Sequence, residues 1–172
     1  MENEFQNFIS EWDRQTALTI QLLEALPADA YDFRPDPDGR SIGEMAWHVA
    51  ETEIFTTTGI EQRSFQFATP PANSKRPRSV QGLVDGFRLI HGEARARVLA
   101  LPDEDLSSQI TYADGTPQTV RRLLWDRMLF HGIHHRGQLT LLCRMAGGVP
   151  PGIFGRTREQ TPKRVVQAPA AL

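Results

Sequence analysis

Three of the five histidines in this 172-residue chain fall within the stretch Phe130-His131-Gly132-Ile133-His134-His135-Arg136-Gly137-Gln138-Leu139. A neutral imidazole is the commonest protein ligand of divalent transition metals, so this concentration raises the question of a bound ion. On an α-helix, residues four apart are rotated by only about 40° and stand one above the other. His131 and His135 therefore form a two-point chelate. His134, about 60° from His131 on the other side of that line, points along the flank of the helix. An HxxxH pair also arises on solvated faces, so a metal site requires a third donor from another helix.

His48 supplies that donor. It lies on the inward stripe of an earlier helical segment with Met45, Thr52 and Phe55, between Trp47 and Val49. A single inward histidine reads as readily as a core residue bonded to a backbone carbonyl, but three on the inward stripes of two helices change the balance. Each buried imidazole left without a partner costs about 1–3 kcal/mol, whereas one ion satisfies three nitrogens together. Three imidazoles suit Zn, Ni, Cu or Fe rather than Mg or Ca, and they leave coordination positions for water or substrate. Such a site can ionise water or a thiol near neutral pH.

Gln138, on the same line as His131 and His135, is expected to face the ion and orient a bound water or ligand. Glu44 and Glu51 lie near His48 and could accept an imidazole proton, although a helix cap and a solvated face are their plainer roles. His91 reads as a buried or half-exposed residue of its own helix rather than a fourth ligand. Arg136 and Arg144 are expected on solvated or interface surface, and Cys143 as a small core residue.

Four segments with a helical apolar period must position these groups, with proline and glycine clusters between them. The pattern predicts an all-α four-helix bundle. The first helix runs from about Glu4 to Leu26 before Pro27, and the second from the capping pair Ser41 and Glu44 to about Gln62. Ser64 to Arg78 reads as a long surface connection. A third helix is expected from about Ser79 to Leu101, then a short β-hairpin around Ala113-Asp114-Gly115. The fourth runs from about Gln118 to Ala146, with Val120, Leu124, Met128, His131, His135, Gln138, Leu142 and Met145 inward. The bundle is expected over residues 1–160, and residues 161–172 as a loose tail.

A chain of this size buries a core without disulfides, and its single cysteine excludes an intrachain bridge. Nineteen basic and twenty-one acidic residues, with no basic run, argue against nucleic-acid binding. No apolar run approaches the roughly 20 residues that span a bilayer, and the N-terminus has no secretory pattern. The expectation is a cytoplasmic protein with no nucleic-acid or membrane partner.

The chain resembles the DinB/YfiT-like superfamily of metal-binding four-helix bundles. The likeness rests on Tyr31-Asp32-Phe33-Arg34-Pro35, on Arg40-Ser41-Ile42-Gly43-Glu44-Met45-Ala46-Trp47-His48-Val49-Ala50, on His131 to Leu139, and on Gly148-Val149-Pro150-Pro151-Gly152-Ile153-Phe154-Gly155. The family's triad, one histidine on helix two and an HxxxH pair on helix four, carries over to His48, His131 and His135. The resemblance implies an up-down-down-up bundle, a zinc or nickel ion, and a homodimer built by helix packing. Better-understood relatives use the metal to activate a low-molecular-weight thiol (bacillithiol, mycothiol or glutathione) for transfer to an electrophile or for isomerisation. It therefore implies a metal-dependent thiol transferase or isomerase of detoxification or stress, acting on a small molecule. Two other readings stay open: a metal-dependent hydrolase, and a non-catalytic metal-binding dimer of the stress or damage response.

Overall fold

The computed structural model describes residues 2–161, and all but Thr161 of the tail expected to be loose lies outside the described residues. Helix α1 (Glu2–Glu24) buries Phe8, Ile9, Trp12, Leu22 and Leu23 along the stripe that their spacing predicts. Helix α2 (Ile42–Glu61) begins at the expected capping box. Ser41 Oγ accepts from the Glu44 amide at 3.3 Å, and the Ser41 amide donates to Glu44 Oε2 at 2.8 Å. Arg34 and Arg76 also reach Glu44, at 2.5 and 3.3 Å. The Ser41 amide first, then these two guanidinium groups, hold the Glu44 carboxyl down at about 2.

Helix α3 (Val80–Leu99) is capped by Ser79, whose Oγ accepts from the Gly82 amide at 3.1 Å. A 3-10 turn (Asp103–Ser107) leads to strands β1 (Gln109–Thr111) and β2 (Pro117–Thr119), which pair antiparallel with Ile110 opposite Gln118. Gly115, at φ +84°, takes the left-handed position in the tight turn between them.

The fourth helical rod has three sections: α4 (Val120–Arg122), a π-helical stretch (Leu123–Phe130) and α5 (His131–Met145). Its ends agree with the sequence reading, but its interior is not the regular α-helix expected. A π-turn closes its hydrogen bond five residues back and so takes up about one extra residue. The inward stripe moves on by one position beyond it. Leu139 and Cys143 are fully buried, while Gln138 and Met145, expected inward, are exposed. The same shift corrects the expectation for Arg136, which is not on the surface but only 2% exposed. Its guanidinium donates to the Gln15 carbonyl at 2.9 Å and to Gln15 Oε1 on α1.

Side-chain contacts fix the helix directions. Glu24 and Asp13 of α1 meet Arg88 and Arg95 of α3 at 2.5 and 2.8 Å, so these two helices are antiparallel. Arg97, late in α3, meets Glu61 at the end of α2 at 3.2 Å, so α2 and α3 are parallel. His48 faces His135 while Thr56 shares a wall with Arg127, so α2 and the fourth rod are antiparallel. The order is up-down-down-up. Parallel neighbours need a long return, and the segment that follows α2 provides it. Trp47 Nε1 donates to the Ser74 carbonyl at 2.8 Å and Tyr31 Oη to that of Pro77 at 2.5 Å, holding the segment against the bundle.

Two apolar cores fill the bundle, one around Leu22, Ile42, Trp47, Phe87 and Leu139, the other around Phe8, Trp12, Ile60, Val98 and Leu123. Between them all four rods contribute polar groups. Gln15, Thr16, Thr19, Glu53 and Arg136 are buried in this belt, with His91 beside them. Glu53 accepts from Trp12 Nε1 at 2.9 Å and lies 3.0 Å from His91 Nδ1.

Because Glu44 ionises more readily in the folded than in the unfolded chain, its carboxylate stabilises the fold fully above 4.5 and progressively less as pH falls toward about 2. Glu44→Gln is expected to melt below the parent protein near neutral pH and to converge with it at about pH 2 to 3. Thermal unfolding followed by circular dichroism checks this; a difference that grows on acidification contradicts it.

Candidate metal centre

The antiparallel packing of α2 on the fourth rod brings His48 opposite the His131 and His135 pair. His131 Nε2 lies 3.3 Å from His48 Nε2 and 3.0 Å from His135 Nε2. One nitrogen from each of the three rings lies within 4.8 Å of the other two. His134, one residue before His135, is exposed and outside this group.

The outer nitrogens explain why the inner ones converge. His135 Nδ1 lies 2.6 Å from Gln138 Oε1, an acceptor, so the ring proton belongs on Nδ1 and Nε2 carries a lone pair. His48 Nδ1 faces Glu51 Oε2 at 3.5 Å, which favours the same tautomer. A proton on His131 Nε2 could serve only one of its two neighbours. Protonating a whole ring is also disfavoured. Burial first, then the neighbouring histidines and Arg127, push His131 down to about 4. Burial likewise lowers His135, against a contribution from Gln138 that raises it.

The three rings thus turn nitrogens into one small volume, an arrangement that a cation stabilises. A tetrahedral ion with bonds of about 2.0–2.1 Å separates its nitrogen ligands by about 3.3 Å. The two observed separations of 3.3 and 3.0 Å match that spacing. The residues present therefore fit a zinc- or nickel-like ion held on one face, with its remaining positions open.

Gln138 stands elsewhere than expected. Its amide lies behind His135, on Nδ1, rather than beside the nitrogen cluster. It orients the ring and not a water. Glu44 serves as the helix cap, and Glu51 is the carboxylate at His48. His91 is engaged by Glu53 and takes no part in the site.

A cavity of about 320 Å3 opens on the cluster, walled by His48, Glu51, Thr52, Phe55, Thr56, Tyr112, Arg127 and His131. Tyr112 and Arg127 were not singled out in the sequence. Arg127 lies one turn before His131 and is traceable by that spacing, whereas Tyr112 reaches the wall only through the hairpin. No residue of the Ser64 to Arg78 connection lines this cavity. That segment lends Arg76 to a second, more polar recess with Arg40, Glu44, Trp47 and Glu51.

The sequence profile of the DinB superfamily matches residues 11–139. The chain belongs to the DinB superfamily. It is 29% identical to the protein YrdA of Bacillus subtilis over 168 residues, 95% of each chain. The crystal structure of a DinB-like protein from Bacillus cereus superposes with a TM-score of 0.72 at 25% identity, covering 86% of this chain and 95% of the other. That of a DinB-like protein from Bacillus subtilis, YjoA, superposes at 0.68 with 22% identity over 88% of this chain and 99% of the other, a likeness of fold. Among the described residues no helix is long and apolar enough to cross a membrane.

His131→Ala is expected to abolish stoichiometric zinc binding, since it removes the nitrogen that touches both others. Gln138→Ala is expected to weaken zinc binding by about 10–100-fold by freeing the His135 ring. Competition with a chromogenic chelator measures both; a Gln138→Ala protein with unchanged affinity contradicts the assigned role.

Proposed function

We propose that this DinB-superfamily protein is a metal-dependent enzyme that uses a low-molecular-weight thiol in transfer to an electrophile or in isomerisation. Its setting would be cytoplasmic detoxification or stress. The observation that carries the reading is the convergence of His48, His131 and His135 beside a cavity large enough for a small molecule. A zinc or nickel ion held there would supply Lewis acidity that lowers the pKa of a sulfhydryl or a water near neutrality.

The wall chemistry favours sulfur over water. A free thiol ionises at about 8.5 and bulk water at about 15.7, so a thiol needs far less help from a general base. Glu51 is the one carboxylate on the wall and is turned toward His48 Nδ1. The aromatic rings of Phe55 and Tyr112 exclude water from part of the cavity, and the hydroxyls of Thr52 and Thr56 give it polar points. Thr52 donates to the His48 carbonyl at 2.8 Å and so also steadies the turn that carries His48.

Zinc- and nickel-loaded protein, mixed with glutathione, bacillithiol or mycothiol and a chromogenic electrophile, is expected to turn over at least tenfold faster than His48→Ala under the same conditions. Equal rates for the two proteins with every thiol would remove the proposal. Turnover without thiol would point to hydrolysis. Loss of melting temperature on chelation with no reaction lost would point to a metal that only braces the helices.

A homodimer follows from the same family reading. Phe130, Leu141 and Met145 are 53%, 61% and 51% exposed. They lie along one side of the fourth rod, an apolar stripe suited to packing against a second copy. Leu141→Glu is expected to shift the sedimenting species from dimer to monomer at unchanged zinc content. A parent protein that sediments as a monomer would end this assignment.

A further inference from the structure

We propose that the cavity beside the three histidines takes a substrate carrying a carboxylate on a flat or apolar body, and that Arg127 is the residue that selects it. The inference rests on the metal reading above and adds the substrate class. Among the wall residues Arg127 is the one permanent cation, and the one carboxylate, Glu51, is turned to His48. A guanidinium presents a planar fork of donors that matches a carboxylate in two parallel bonds, which makes it selective as well as attractive.

The placement of Arg127 is also that of a receiving group. Its guanidinium lies over the Tyr112 ring, 4.5 Å from the centroid, and this stacking holds the plane without consuming the N–H donors. Among the described residues its carboxylate contact is with Asp114 at the hairpin tip, through Nη2 at 3.2 Å. The two side chains are 36% and 48% exposed, so the pair is weakly held. Asp114 in turn accepts from the Thr116 amide at 3.0 Å and from its hydroxyl at 2.5 Å through Oδ1, so it stays ionised and fixed on the turn. One of five N–H groups is thus engaged, leaving donors for an incoming acid. Phe55 and Tyr112 supply the apolar contact for the body of such a molecule.

The test uses mercaptoacetate, 3-mercaptopropionate and 4-mercaptobutyrate, each paired with its neutral amide, titrated calorimetrically into zinc-loaded full-length protein. At least one acid is expected to bind tenfold or more tightly than its amide. Arg127→Met is expected to remove that preference while zinc stoichiometry stays unchanged. Arg127→Lys should retain part of it, and Asp114→Asn, which removes the competing carboxylate, should enlarge it. Equal binding of every acid and amide overturns the proposal, as does a preference that survives Arg127→Met. Disappearance of the preference in Arg40→Met but not in Arg127→Met overturns it too, by assigning selection to the neighbouring recess. Zinc content, read separately by elemental analysis, distinguishes a failure of the metal reading, which shows as protein without zinc, from a failure of Arg127, which shows as zinc-bearing protein without selectivity.

Discussion

Three imidazole nitrogens from two helices, with neighbours 3.0 and 3.3 Å apart, set the central constraint on this bundle, because each prefers to keep its lone pair toward a positive charge. Convergence requires α2 and the fourth rod to run antiparallel and His48 to sit level with the turn from His131 to His135. It also requires the outer nitrogens to be occupied, or the rings would be free to invert. Gln138 meets that need for His135 and Glu51 for His48, each from the turn after its histidine. Local chain geometry thus sets the ring orientation, and tertiary packing sets the distance between the rings.

The buried polar belt shows how the bundle tolerates such a site. Gln15, Thr16, Thr19, Glu53 and Arg136 pass between two apolar cores, so polar groups at mid-height are a property of the whole cross-section and not of the histidine cluster alone. Arg136 follows His135 directly in the chain, and its hold on Gln15 ties α1 to the segment that carries two of the three histidines. Leaving a buried guanidinium without partners costs several kcal/mol, so this link constrains the rotation of α5 about its axis.

Much of this was legible in the sequence, and the reasons are local. Ser41 and Glu44 spell a helix start, Asp114-Gly115 a tight turn, and His131 with His135 a common face, because each depends on residues close together in the chain. His48 could be matched to that pair since its apolar neighbours mark the buried side of α2. Hidden from the sequence was the π-helical stretch, since apolar periodicity assumes one winding throughout. Beyond it the buried stripe takes in Arg136, Leu139 and Cys143, whereas Gln138 and Met145 are exposed and Leu142 is half-buried. Tyr112 could not be read as a cavity residue either, because nothing in its own neighbourhood tells which helix the hairpin lies against.

The widened turn carries an implication for how such chains change length. Since Leu123–Phe130 absorbs about one surplus residue, a one-residue deletion inside it would let an ordinary helix form with both flanks left where they are. The same deletion after His131, within α5, has no slack to draw on and would swing every later side chain by about 100°. Length variation among homologous helices of this shape should therefore be concentrated above the histidine pair and scarce below it.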